Sequence, residues 1–133
     1  MTEPIDTVAW IHLREGRVLG TRSRGKSLFY IPGGKRHPGE SDLQTLLREV
    51  EEELTVTLAP ESARHFGTYE APADDADPTR RVRMACYTGE FTGTLRASAE
   101  IEELAWLDYS DRERTAPVDR LVFDDLKALG RLR

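Results

Sequence analysis

The chain of 133 residues is long enough for one domain with a real core, and 38% hydrophobic against 32% charged residues makes it polar without being disordered. A net charge of −5 argues against a general binder of nucleic-acid polymer, and no apolar run approaches the ~18 residues that a membrane-spanning helix needs. Met1 to Asp6 is acidic where a signal peptide would be basic and then apolar, and the lone Cys86 allows neither an internal disulfide nor a zinc cluster, so a cytoplasmic protein is expected.

In chain order, Ile5 to Leu13 reads as a strand that ends at Arg14-Glu15-Gly16, and Val18 to Ser23 as its returning partner. Residues 5–23 are therefore an expected hairpin. Leu28 to Ile31 is a short strand closed by Pro32-Gly33-Gly34. Pro38-Gly39 then occupies the two central positions of a type II turn. Ser41 to Leu54 is the clearest helix: Ser41 and Gln44 form a capping box, and Leu43, Leu46, Leu47, Val50 and Leu54 make one apolar stripe. Thr55 to Leu58, Phe66 to Ala71, Val82 to Phe91 and Ile101 to Leu107 have strand character. The polar loop Pro72 to Thr79, acidic and a candidate lid, separates two of them. Alternation in Val82, Met84 and Cys86 marks the cysteine as a small buried hydrophobe. Pro117 to Leu129 closes the chain as a helix with Val118, Leu121, Val122, Leu126 and Leu129 on one side. Without repeats or linkers, residues 1–133 form a single mixed α/β domain.

The helix breaks a local rule. Glu49, Glu51, Glu52 and Glu53 crowd its last turn, where the helix dipole is already negative and each acid costs about 0.3–1 kcal/mol. At ~100° per residue, Glu49, Glu52 and Glu53 share an arc of about 100° beside the apolar stripe, while Glu51 faces solvent on the other flank. Clustered hard oxygen ligands of this kind suit Mg²⁺ or Mn²⁺; a merely solvated acidic helix end is the competing explanation. The charge distribution adds weight. Arg14, Arg17, Arg22, Arg24, Lys26, Lys35 and Arg36 make the first quarter of the chain basic, and a cation-rich stretch beside an acidic one suits a metal with an anionic ligand.

Gly34, Glu40 and the run Arg48-Glu49-Val50-Glu51-Glu52-Glu53-Leu54-Thr55-Val56 resemble the Nudix box, Gly-x5-Glu-x7-Arg-Glu-aliphatic-x-Glu-Glu-x-Gly-aliphatic. Six of its seven fixed residues stand at the right spacing. A chance match of that kind is of order 1 in 10⁷ per starting point. The departure is Thr55 in place of Gly just past the helix, so that either the helix ends differently or Thr55 is strained.

The resemblance implies an α/β/α sandwich with a mixed sheet between helices, and an enzyme that hydrolyses the pyrophosphate linkage of a nucleoside diphosphate derivative. It implies Mg²⁺, with Mn²⁺ as a substitute, held by Glu49, Glu52, Glu53 and the Gly34 carbonyl. Arg48 would orient Glu49 or Glu53, and Glu40 would brace the loop or reach the metal through water. Lys35 would contact pyrophosphate, and Arg22, Arg24 or Lys26 the distal phosphate. The catalytic set is Glu52, Glu53, Arg48 and a later-loop base from Glu100, Glu102 and Glu103, with Glu103 the choice. Tyr30 is expected to meet the base, whereas Trp106 and most other aromatics read as core. The expected substrate is a nucleoside triphosphate, an oxidised one included. Hydrolysis of ADP-ribose or dinucleoside polyphosphates, and a non-catalytic nucleotide sensor, are the alternatives. No nucleic-acid polymer or membrane is expected as a partner, and the chain is a monomer or homodimer.

Overall fold

The computed structural model of the chain describes residues 3–74, 77 and 79–133. Its centre is β1 (Ile5–Trp10), which continues into Ile11. Val8, Ala9, Trp10 and Ile11 are all at most 2% exposed, so this strand is buried on both faces and paired on both edges. It runs antiparallel to β4 (Gly33–Lys35) and parallel to β7 (Arg81–Thr88), and β6 (Arg64–Pro72) pairs antiparallel with β7. The resulting mixed sheet has the order β4-β1-β7-β6.

Period-two alternation sends β1 side chains into two separate cores. Val8 and Trp10 pack with Leu46, Val50 and Leu54 of α1 (Asp42–Leu54). Ala9 and Ile11 pack with Met84, Cys86, and with Val122, Phe123 and Leu126 of α2 (Pro117–Ala128). One helix therefore covers each face, and the α/β/α sandwich expected from the sequence holds. A second, antiparallel sheet has the order β2 (Leu13–Arg14), β3 (Arg17–Ser23), β9 (Ile101–Leu107), and β5 (Thr57–Leu58) pairs with β8 (Phe91–Thr92).

Several expected elements differ. Residues 5–23 are not one hairpin: β1 and β3 lie in different sheets, and only the short β2 pairs with β3. The chain changes sheets at Ile11–His12, where Ile11 N–H donates to Tyr87 O at 2.8 Å and His12 O accepts from Leu19 N–H at 2.9 Å. Apolar patterning marks Val8 to Ile11 as buried but cannot name the strand that buries them. Leu28 to Ile31 is extended but makes only lone bridges, Thr21 to Tyr30 and Phe29 to Thr115, and the pairing strand starts at Gly33. Val82 to Phe91 is split at Gly89 into β7 and β8.

In helix α2, Val118, Val122 and Leu126 of the expected stripe are buried, but its other two members are not. Leu121 and Leu129 are 36% and 61% exposed, and Asp119 and Phe123 are buried in their stead. Two short 3-10 turns, Pro60–Ser62 and Tyr109–Arg114, were not foreseen; Asp108 and Asp111 cap the second through a local box. Of the Pro72 to Thr79 loop, Asp75, Ala76 and Pro78 lie outside the described residues, as do Met1 and Thr2 of the acidic N-terminus. Among the described residues, no helix is long and apolar enough to cross a membrane.

Candidate active site

The site is built on the loop between β4 and α1. Glu40 N–H donates to His37 O at 3.0 Å with Gly39 at φ +83°, which is the turn expected around Pro38-Gly39. The capping box is complete: Ser41 Oγ accepts Gln44 N–H at 3.1 Å, and Gln44 Oε1 accepts Ser41 N–H at 2.9 Å. Thus the loop delivers the chain into α1 at a fixed angle.

Arg48 locks loop to helix. Its Nε and Nη2 donate to the two Glu40 oxygens, both at 2.8 Å, its Nη1 to Glu49 Oε1 at 2.8 Å, and Nη2 also to Lys35 O at 3.0 Å. Glu40 in turn accepts from His37 N–H and Thr45 Oγ1. The Arg48 guanidinium, helped by the His37 amide, pulls the Glu40 carboxyl down to about 2. Of the two glutamates proposed for Arg48 to orient, it touches Glu49; no bond to Glu53 is formed.

Two glycines make room for the acids. A Cβ on Gly33, whose φ is +152°, would sit 2.1 Å from Val8 O, and one on Gly34 would sit 2.5 Å from the Glu49 carboxyl carbon. Only glycines allow the strand to pair and the Glu49 carboxylate to close on it. Gly33 N–H donates to Glu53 Oε1 at 3.0 Å. Glu53 is 5% exposed, and burial, with Glu49 and Glu100 nearby, pushes its carboxyl up to about 9.

The helix exit keeps the geometry of the box with the wrong residue. Thr55 is left-handed, at φ 60° and ψ 27°, and its N–H donates to Glu51 O at 3.0 Å. Its hydroxyl donates to Thr94 O at 3.1 Å, which offsets part of the cost of a β-branched side chain there. Of the two outcomes open in the sequence, Thr55 is the strained one.

A cleft of about 380 Å³ opens over this loop. Gly33, Gly34, Lys35, Glu53 and Glu100 line it, and so do Lys26, Tyr30, Asp74 and Asp119. Glu52 does not: it is exposed on the far flank of α1, near Glu51 and Ser98, with Arg48 Nη1 at 3.9 Å. Glu103 lies outside the cleft as well, accepting from Arg22 Nε at 3.0 Å. Arg22 also holds Lys26 O at 3.1 Å and lies 3.5 Å from Glu102, so its donors are engaged in bracing the turn after β3. Arg24 is exposed and meets the site only through its N–H, which donates to Glu100 O at 2.9 Å. Of the aromatics, Tyr30 lines the cleft. Trp106 packs against the core around α1 with the Arg14 guanidinium over its ring, while Tyr69 and Tyr87 donate to Asp125 and Asp42.

Asp119 was missed by the sequence reading. It is wholly buried in α2 yet lines the cleft; Oδ1 accepts Ile31 N–H at 2.7 Å, and Oδ2 has no partner among the described residues. Burial pushes its carboxyl up to about 7. The signal was available: Asp119 falls at i, i+3, i+4 and i+7 with Val122, Phe123 and Leu126, an acid on an apolar face. Asp119 and Glu53 bind N–H groups only two residues apart, Ile31 and Gly33, a step of at most ~7 Å along the chain. One short segment thus links two acids of unlike surroundings.

The NUDIX domain family matches residues 3–126, nearly the whole chain. The chain belongs to the Nudix hydrolase family. It is a Nudix pyrophosphohydrolase of the MutT-like kind. It is similar to the CTP pyrophosphohydrolase of Escherichia coli (strain K12), 30% identical over 97% of this chain and 96% of that protein. Among solved structures it resembles the E. coli ORF135 protein, with a TM-score of 0.75 and 27% identity over 96% of this chain and 91% of the other. A bifunctional NMN adenylyltransferase/ADP ribose pyrophosphatase from Francisella tularensis, complexed with AMP and a manganese ion, shares the fold. Its TM-score is 0.71 at 18% identity, over 96% of this chain and 42% of that one.

Nudix hydrolases are typically metal-dependent. Among the described residues, no three acidic, histidine or cysteine side chains converge into a ready-made cage, since Glu52 stands off. The donor set nevertheless fits a hard divalent cation. Glu53 is a buried carboxylate with one amide donor and no basic side chain hydrogen-bonded to it, and Glu49 and Glu100 press on it with like charge. A cation there would relieve both the desolvation and the repulsion.

Proposed function

We infer that this Nudix enzyme hydrolyses a nucleoside triphosphate, with CTP the first choice and an oxidised nucleotide within reach. The carrying observation is that one cleft holds both the buried Glu53 beside Gly33–Gly34 and the unpartnered Asp119 oxygen, joined by the Ile31–Gly33 segment. The first group suits a metal–phosphate centre and the second a polar contact to a base. The likeness to an E. coli CTP pyrophosphohydrolase points the same way.

In this reading Glu49, Glu53 and the Gly34 carbonyl would hold Mg²⁺, replaceable by Mn²⁺, and Glu52, exposed on the flank of α1, would complete the set expected from the Nudix box. When bound, the ion shields the phosphate charges and lowers the pKa of a coordinated water. Arg48 positions Glu49 through their charge-assisted bond and, through Glu40, fixes the loop. Lys35 and Lys26 are the cations on the cleft wall and take the phosphates, while Arg22 and Arg24 hold the Lys26 turn and the Glu100 backbone. The base that would take the water proton is Glu100, on the cleft wall beside Glu53; Glu103, spent on Arg22, serves that ion pair. Tyr30 and Asp119 meet the nucleoside. Water adds to one phosphorus, the bridging P–O bond breaks, and the proton passes to the carboxylate.

Phosphate and pyrophosphate release, with Mg²⁺, across ordinary and oxidised nucleoside triphosphates, ADP-ribose and dinucleoside polyphosphates tests this. Turnover of triphosphates that Glu53→Gln abolishes supports it. Turnover confined to ADP-ribose or dinucleoside polyphosphates overturns it, and silence despite metal binding favours a nucleotide sensor.

A further inference from the structure

The wall around Asp119 has a second feature that the reaction does not use. Asp74, two residues beyond β6, accepts the Tyr30 hydroxyl proton at 2.7 Å, and both side chains line the cleft. Tyr30 is fixed by its backbone: it exchanges two hydrogen bonds of 2.7 Å with Thr21, whose hydroxyl also donates to Tyr30 O. Asp119 lies close enough to act on the Tyr30 hydroxyl electrostatically. The two acids and the tyrosine therefore share one region of the cleft.

The donors around Tyr30 and Asp119 are engaged. The only Tyr30 hydroxyl proton is given to Asp74, and the Thr21 hydroxyl proton to Tyr30 O. The N–H groups of Tyr30, Ile31 and Ala73 are spent on Thr21 O, Asp119 and Arg80 O. Among the described side chains in contact there, three acceptors stand open: Asp74 Oδ1, the second lone pair of the Tyr30 hydroxyl, and the buried, unpartnered Asp119 Oδ2. A ligand group seated against them must donate.

We propose that Asp74, aligned by Tyr30, is a second base-reading residue of the cleft, selecting nucleotides whose base presents an exocyclic amino group over those that present a carbonyl there. The proposal rests on the nucleoside triphosphate reading of the site. Cytosine offers its 4-amino hydrogens to this wall. Uracil places a carbonyl oxygen at the same point, where it faces carboxylates and loses its own hydrogen bonds to water. Sites that oppose acceptor to acceptor discriminate strongly, so CTP is preferred to UTP by about tenfold or more.

The test compares kcat/KM for CTP and UTP, identical in sugar and phosphates, in the native enzyme and in Asp74→Asn, Asp74→Ala and Tyr30→Phe. CMP and UMP affinities are measured in parallel. The asparagine variant, which supplies a donor, should narrow the CTP/UTP ratio about fivefold or more, chiefly by raising UTP turnover. Tyr30→Phe, which leaves the carboxylate unaligned, should narrow it less. If Asp74 merely ties its loop to Tyr30, the variants will lower both nucleotides alike, and a ratio unchanged within about twofold overturns the proposal. An enzyme inert toward both triphosphates that still prefers CMP, and loses that preference in Asp74→Asn, sinks the triphosphate reading but upholds base selection. Equal CMP and UMP affinities in such an enzyme overturn both.

Discussion

Glu53 is a buried acid with two like charges beside it, Glu49 and Glu100, a cost that a bound cation would relieve. An acid whose carboxyl is raised from 4.5 to about 9 on folding binds its proton more tightly in the native state, so its stabilising effect is present at low pH and is lost as pH climbs between those values. The metal-free protein should therefore melt at a lower temperature at pH 9 than at pH 5, and Glu53→Gln should remove most of that slope. At neutral pH the variant should melt about 5 °C or more above the native chain, and Mg²⁺ should raise the melting temperature of the native chain alone. Equal melting curves for the two would mean that Glu53 is not the unpaired charge its burial indicates.

Asp119 makes a separate prediction. Burial pushes its carboxyl up to about 7, and the ionised form is the one that accepts from an amino group. The kcat/KM for CTP should rise as pH passes upward through about 7. In Asp119→Asn that inflection should vanish from the pH profile, whatever remains from the catalytic glutamates.

At the scale of elements, α1 and the loop before it behave as one part because Arg48 bonds Glu40, Glu49 and Lys35 together. Lysine keeps the charge but cannot reproduce a planar fork with several donors. Arg48→Lys should cost about 1–2 kcal/mol of stability and lower kcat by about tenfold or more, and unchanged urea unfolding with full activity would contradict this. The helix exit offers a cleaner case. Thr55→Val keeps the left-handed strain and loses the hydroxyl bond to Thr94, so it should destabilise by about 1 kcal/mol.

Much of this element was legible beforehand. The capping box, the turn at Pro38-Gly39 and the helix from Ser41 follow from residues within a few positions of one another, where sequence distance and spatial distance coincide. The part of the α2 stripe that fails has the opposite cause, since Val118, Val122 and Leu126 are buried as expected. Leu121 and Leu129 read as core because they are apolar, yet what that helix buries is set by the sheet beneath it: Phe123 joins the core and Asp119 is buried with it.

At the scale of the whole molecule, β1 divides the interior into two cores, one under each helix, and the cleft lies where segments from both approach. Phe123 is 0% exposed in the core under α2, so Phe123→Ala should cost about 3–5 kcal/mol by chemical unfolding, enough to endanger a domain of this size. Loss of α2 from the sheet would also withdraw Asp119, coupling that core to the cleft 88 residues from its partner Ile31.

By itself the sequence determined that this is an α/β chain of the Nudix family, where helix α1 starts and stops, and which acids crowd that helix. Those properties are local, or are held in a spacing too specific to arise by chance. Only the tertiary structure decided which strands β1 joins, that Arg22 and Glu103 are spent on each other, and that Asp119, Tyr30 and Asp74 line one cleft with Glu53. The reason is physical: a side chain's type fixes what it can bond, but long-range packing fixes which partner it meets, and pairing, burial and pKa all follow from the partner.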